Sequence, residues 1–146
     1  MAALSDYLEN KLIDFLLRGQ AFTPPATVYF GLLTAAPSDS GGGTEVSGGS
    51  YARVGVATSL ANFAGTQGAT TTVASTGTSG ATSNNALIEF PVPTGDWGRV
   101  THIGVYDAPT SGNLLLFSAL TNAKNINNGD PAPKWNPGAW TFQIDN

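Results

Sequence analysis

The sequence contains no cysteine, which excludes disulfide staples, thiolate catalysis and Cys-ligated zinc. It has 1 histidine, so a histidine-based metal site or catalytic triad would have to be built on His102. Charge is scarce: Asp, Glu, Lys and Arg together make up 11% of the chain, less than half the roughly 25% of an average globular protein. The 6 basic side chains are scattered and outnumbered by 10 acidic ones, for a net charge of -4. That balance argues against the clustered cationic face needed to hold nucleic-acid phosphates. No apolar run approaches the roughly 18 residues of a membrane span. The first residues also lack the basic start, apolar stretch and small-residue cleavage site of a secretory signal. The expectation is synthesis in a cytoplasm, with neither nucleic acid nor membrane as partner.

What is present is a chain of 146 residues with 18 glycines, long enough to bury roughly 70% of its unfolded surface as one domain. From Leu4 to Arg18 apolar residues recur at helical spacing, with Leu4, Leu8, Leu12, Phe15 and Leu16 on one side and Asp6, Asn10, Asp14 and Arg18 on the other. Ser5 is placed to cap the start and Gly19 to stop the end, so the reading is an amphipathic helix over residues 4–19. Its stripe either packs on this chain's own sheet or docks on a partner subunit, which makes Leu8, Leu12, Phe15 and Leu16 the candidate interface.

From residue 24 to 146 the helical period is gone, and β-branched and aromatic runs alternate with Gly, Pro, Asn and Ser clusters. Strands are expected at Thr27 to Thr34, Tyr51 to Ala57, Ala86 to Val92, Val100 to Asp107, Asn113 to Leu120 and Trp140 to Asp145. The five residues Ala108 to Gly112 carry the best hairpin signal. Two long loops, 35–50 and 58–85, separate the strands; the second is so poor in large apolar residues that it reads as mobile or ordered by another chain, with one or two weak strands at most. Without crossover helices the sheet must be antiparallel. The fold class is therefore mainly β, an antiparallel β-sandwich (jelly-roll-like) or barrel of about seven strands preceded by one N-terminal helix.

No catalytic constellation emerges. Among the carboxylates, Asp39, Asp96, Asp107 and Asp130 stand in turn contexts where aspartate bonds its local backbone, and Glu89 lies within a strand and should face solvent or an interface. The glycines from 41 to 49 lack the Lys-Ser/Thr and the helix that a phosphate loop requires, and no calcium-loop spacing is present. His102 reads as a structural strand residue. No metal or cofactor is expected. Trp97 and Trp135 stand in Gly- and Pro-rich contexts and form a candidate glycan platform, with core packing as the competing reading.

The segments Leu4 to Gly19 (LSDYLENKLIDFLLRG), Pro25 to Pro37 (PATVYFGLLTAAP), Gly41 to Val54 (GGGTEVSGGSYARV), Phe90 to Leu120 (FPVPTGDWGRVTHIGVYDAPTSGNLLLFSAL) and Asn127 to Asp130 (NNGD) together carry a family likeness. On these motifs the chain resembles small tailed-bacteriophage virion proteins of the kind labelled phage tail fibre proteins. The resemblance implies a structural, non-enzymatic subunit present in many copies on the virion exterior, in capsid decoration, as cement, in a collar or in a small tail fibre. Its partners would be copies of itself and other virion proteins. The alternative is a carbohydrate-binding module for attachment to a host surface.

Overall fold

The computed structural model describes residues 2–144. In chain order its elements are β1 (Ala2–Leu4), α1 (Asp6–Leu17), β2 (Thr27–Ala35), β3 (Thr44–Glu45), β4 (Val54–Ala57), β5 (Ala81–Ser83), β6 (Ile88–Glu89), β7 (Gly98–Tyr106), β8 (Leu114–Ile126), β9 (Lys134–Trp135) and β10 (Thr141–Gln143). Every pairing is antiparallel. Six strands form one sheet in the order β1-β8-β7-β2-β3, with β4 also on β2; two small sheets pair β10 with β5 and β6 with β9. The fold is mainly β with a single N-terminal helix, and it is sandwich-like, because the small sheets lie over one face of the large one.

The β7–β8 hairpin is central, and local chemistry sets its turn. The Asp107 carboxylate accepts the backbone N–H and the side-chain amide of Asn113, both at 2.7 Å, and Gly112 takes the left-handed φ of +72° that this turn needs. Alternation along β2 and β7 then sends Phe30, Leu32, Ile103 and Val105 to one face, where they meet Ile88, Phe90, Trp140 and Phe142 of the second layer in one buried cluster. Phe30 and Trp140 pack edge to face at 5.1 Å between ring centres. Each such side chain contributes about 1.5–3 kcal/mol on burial.

The helix departs from expectation at its start and in its packing. Residues 2–4 are strand, pairing Ala2 with Ser118 and Leu4 with Leu116, so the helix begins at Asp6. Ser5 is the cap: its Oγ accepts the Leu8 N–H and donates to the Leu114 carbonyl, while the Ser5 N–H donates to Leu115. These bonds tie the helix start to β8. Beyond that point no helix residue is fully buried, and the stripe packs on the chain's own sheet only in part. Only Tyr7 and Leu8 of the helix pack against the core cluster.

The 58–85 segment also differs from expectation. Its small polar side chains bond its own backbone: Thr71 Oγ1 accepts the Gly65 N–H, Thr66 Oγ1 accepts the Gly77 N–H, and Ser79 Oγ donates to the Thr66 carbonyl. Such side-chain bonds to nearby backbone order a segment that has few large apolar side chains to bury. In the last strand Trp140 and Phe142 are buried while Ile144 is exposed, because the chain leaves the sheet after Gln143; Asp145, expected in that strand, lies outside the described residues.

Candidate functional site

Two features stand out: a partly uncovered helix face, and a polar cluster built around Gly31 and Gly104 of the large sheet. Of the four candidate interface residues, Leu8 and Leu12 are half-buried, whereas Phe15 is 51% and Leu16 70% exposed. Ile13 and Leu17 are exposed beside them, Leu17 at 81%. The helix ends in a left-handed Gly19, with the Arg18 and Gln20 N–H groups both donating to the Asp14 carbonyl. The anchored first turn thus holds up an apolar second half that this chain leaves in water.

The polar cluster is built on glycine. Gly31 and Gly104 stand opposite each other in the β2–β7 ladder, and a Cβ on Gly31 would lie 2.9 Å from Glu45 Oε1 and 3.0 Å from the Tyr106 ring. Absent side chains there leave room for Glu45, Tyr51 and Tyr106, and Arg53 bonds or stacks on two of these. The Arg53 Nε donates to Glu45 Oε1 at 2.8 Å and its Nη2 to Glu45 Oε2 at 2.7 Å. Its Nη1 donates to the carbonyls of Ala108 and Ser111, both at 2.8 Å, and its guanidinium lies 3.5 Å from the centre of the Tyr106 ring. One side chain therefore binds β3 and the β7–β8 turn together. Tyr51 completes the group, accepting the Leu32 N–H and donating to Glu45 Oε1, each at 2.8 Å. In the sequence this cluster leaves only the signal of isolated glycines inside strand patterns, which mark close backbone or side-chain approach.

Burial pushes the Tyr51 hydroxyl far above the ordinary tyrosine range, and the Glu45 charge adds to the rise against an opposing bond from Leu32. Burial likewise raises Tyr106, helped by Glu45 and opposed by Arg53. For Arg53, burial works against the charge, but the bonds and charge of Glu45 outweigh it and hold the guanidinium above its usual value. A phenol raised in the folded state contributes stability that is present below its unfolded pKa of about 10 and is lost as pH rises above it. The expected result is alkaline unfolding above about pH 10. Ultraviolet titration should show Tyr51 and Tyr106, of the chain's 4 tyrosines, ionising only together with the loss of structure; ionisation of both in the folded protein would contradict the geometry.

The remaining candidates take structural places. Trp97 is 4% exposed, packs edge-on to Tyr51 at 5.3 Å and donates its indole N–H to the Gly49 carbonyl at 2.9 Å. That corrects its placement in a glycan platform, since it has no free face. Trp135 is half-buried against Phe90, 5.9 Å between centres. His102 lies in β7, its Nδ1 2.8 Å from Thr101 Oγ1. Asp96 and Asp130 accept the backbone N–H groups of Asn128 and Asn127, as turn aspartates do. Glu89 is exposed in β6. Among the described residues no group of three or more His, Asp or Glu side chains is arranged to hold a metal ion, and no helix is long and apolar enough to cross a membrane.

The site's chemistry is therefore that of contact surfaces: an apolar helix end, and a loop cluster braced by ion pairing. Comparison of the sequence with curated proteins finds no match. A family profile described as Podophage GP4 fiber I protein gp80 matches residues 3–143, from within β1 to the end of β10. The match covers nearly every element described above, and the chain belongs to this family of phage fibre proteins.

Proposed function

We propose that the protein is a non-enzymatic, multi-copy subunit on the exterior of a phage particle, a tail-fibre component that assembles through contacts of α1 with a second copy or with a neighbouring virion protein. The observation that carries this reading is the exposed apolar end of α1. Side chains such as Phe15 and Leu16 lose about 1.5–3 kcal/mol each by remaining in water, and large exposed apolar patches mark interaction surfaces. Low surface charge supports the same reading, because few charges then need desolvation when the surface is covered. The fibre family to which the chain belongs agrees with it.

The test is the double variant Phe15→Ser/Leu16→Asp. Both positions are exposed, so thermal stability should stay unchanged while assembly weakens by about a hundredfold. Sedimentation over a range of concentrations measures the self-contact, and incorporation into particles grown on complementing cells measures the contact with other virion proteins. A variant that assembles and incorporates like the parent defeats the proposal.

A further inference from the structure

β8 is 13 residues long, yet its outer edge is covered by β1 only at Leu116, Phe117 and Ser118. Past that point its inner pairing also breaks. The register with β7 passes from His102–Ala119 to Val100–Lys124, leaving Leu120–Ala123 opposite Thr101 alone. Among the described residues, no backbone hydrogen bond outside the strand ladders involves residues 120–125. Leu120–Ala123 thus have no strand partner on the β1 side and no regular register with β7, the kind of edge to which an extended chain adds.

Beside this edge lies a groove. Two recesses of about 260 and 320 Å³ share Leu120, Thr121 and Trp135 as walls. The larger is floored by Val100 and Ile126 and flanked by Lys124 and Lys134, and no carboxylate lines either recess. Two of the chain's 6 basic side chains are thus gathered at one groove of an acidic protein. Glu89 stands opposite Lys134 in the β6–β9 ladder, but neither lysine makes a salt bridge among the described residues.

We propose that the open edge of β8 and the groove beside Trp135 form a docking site for an extended, acidic polypeptide segment, which joins the large sheet as an added strand in line with β1. The backbone edge supplies the hydrogen bonds, the recesses take alternate side chains, and the two lysines select carboxylates. A lysine and a bulge are also common guards against unwanted strand pairing. A guard needs no groove, whereas here walled recesses lie directly alongside. This surface is separate from the exposed half of α1, and the inference stands whether or not that helix docks.

The probe is an eight-residue peptide of alternating threonine and glutamate with blocked ends, compared with its threonine–lysine counterpart. Amide hydrogen exchange at millimolar peptide should show new protection confined to residues 119–125 with the glutamate peptide and none with the lysine peptide. Lys124→Glu, an exposed position, should weaken the glutamate peptide by about three- to tenfold and admit the lysine peptide, at unchanged melting temperature. Asn122→Pro removes one backbone N–H from this stretch and should weaken binding without reversing the charge preference. Absence of protection at the β8 edge, equal binding of both peptides, or protection produced by neutral oligosaccharides instead would overturn the proposal.

Discussion

Asn84→Ala is expected to destabilise the protein by about 3 kcal/mol or more. Asn84 is fully buried, at 0% exposure, and both ends of its amide are occupied. Oδ1 accepts the Trp140 N–H at 2.9 Å. Nδ2 faces the carbonyls of Ala86, Asn136 and Trp135 at 2.8, 2.9 and 3.3 Å. Its backbone N–H donates to the Trp140 carbonyl, and its own carbonyl accepts from Gly138. Alanine keeps those two backbone bonds but strands one amide and several carbonyls without water, each costing about 1–3 kcal/mol. The loss is concentrated in the second layer, which holds Trp140 against Phe30. Urea denaturation measures it. Asn84→Asp keeps the shape but turns an oxygen toward three carbonyls, so it should be no better than alanine at neutral pH; stability of either variant equal to the parent would show that this amide does not hold the layer.

Arg53→Met is expected to cost about 2–3 kcal/mol. Truncating one member of a buried pair leaves the other uncompensated, which costs about 3–5 kcal/mol where both are deeply buried. The Glu45 side chain is 27% exposed against 7% for Arg53, so water relieves part of that cost. Arg53→Lys should recover little, because one ammonium cannot reproduce the fork that grips both oxygens of Glu45 and two carbonyls of the turn. The double variant Arg53→Met/Glu45→Gln should be more stable than the sum of its singles, since removing both charges abolishes the stranded one. Equal and additive losses in urea would mean that the pair is not coupled. Hydrogen exchange should also report a loosened turn at Ala108 to Ser111, where the guanidinium now holds two carbonyls.

These two residues mark where the sequence was hard to read. Asn84 lies at the end of a segment with almost no apolar content, and apart from Ala86 its side-chain partners are 51, 52 and 56 residues away. Arg53 reaches the turn across 55 and 58 residues. Neither relation leaves a local pattern, although the glycines opposite each other at Gly31 and Gly104 were a visible hint. Trp97 misled for the opposite reason: its Gly- and Pro-rich surroundings look like a surface loop, but the indole N–H finds the Gly49 carbonyl and the ring is buried. Signals confined to a few residues were sound. Ser5 caps the helix, Gly19 ends it, and Asp107 with Gly112 turns the central hairpin.

The sequence by itself determined the mainly β class, the antiparallel pairing, the single leading helix and, having no cysteine, the lack of thiolate chemistry, because periodicity, caps, turn residues and composition all act over a few residues of chain. Only the tertiary structure decided which apolar faces are covered. The stripe of α1 is divided, with Leu8 and Leu12 half-buried and Phe15 and Leu16 in water, since β1 and the Ser5 bonds pin the helix by its first turn. Likewise β8 outruns β1 and bulges away from β7, a mismatch of strand lengths that appears only once the strands are paired.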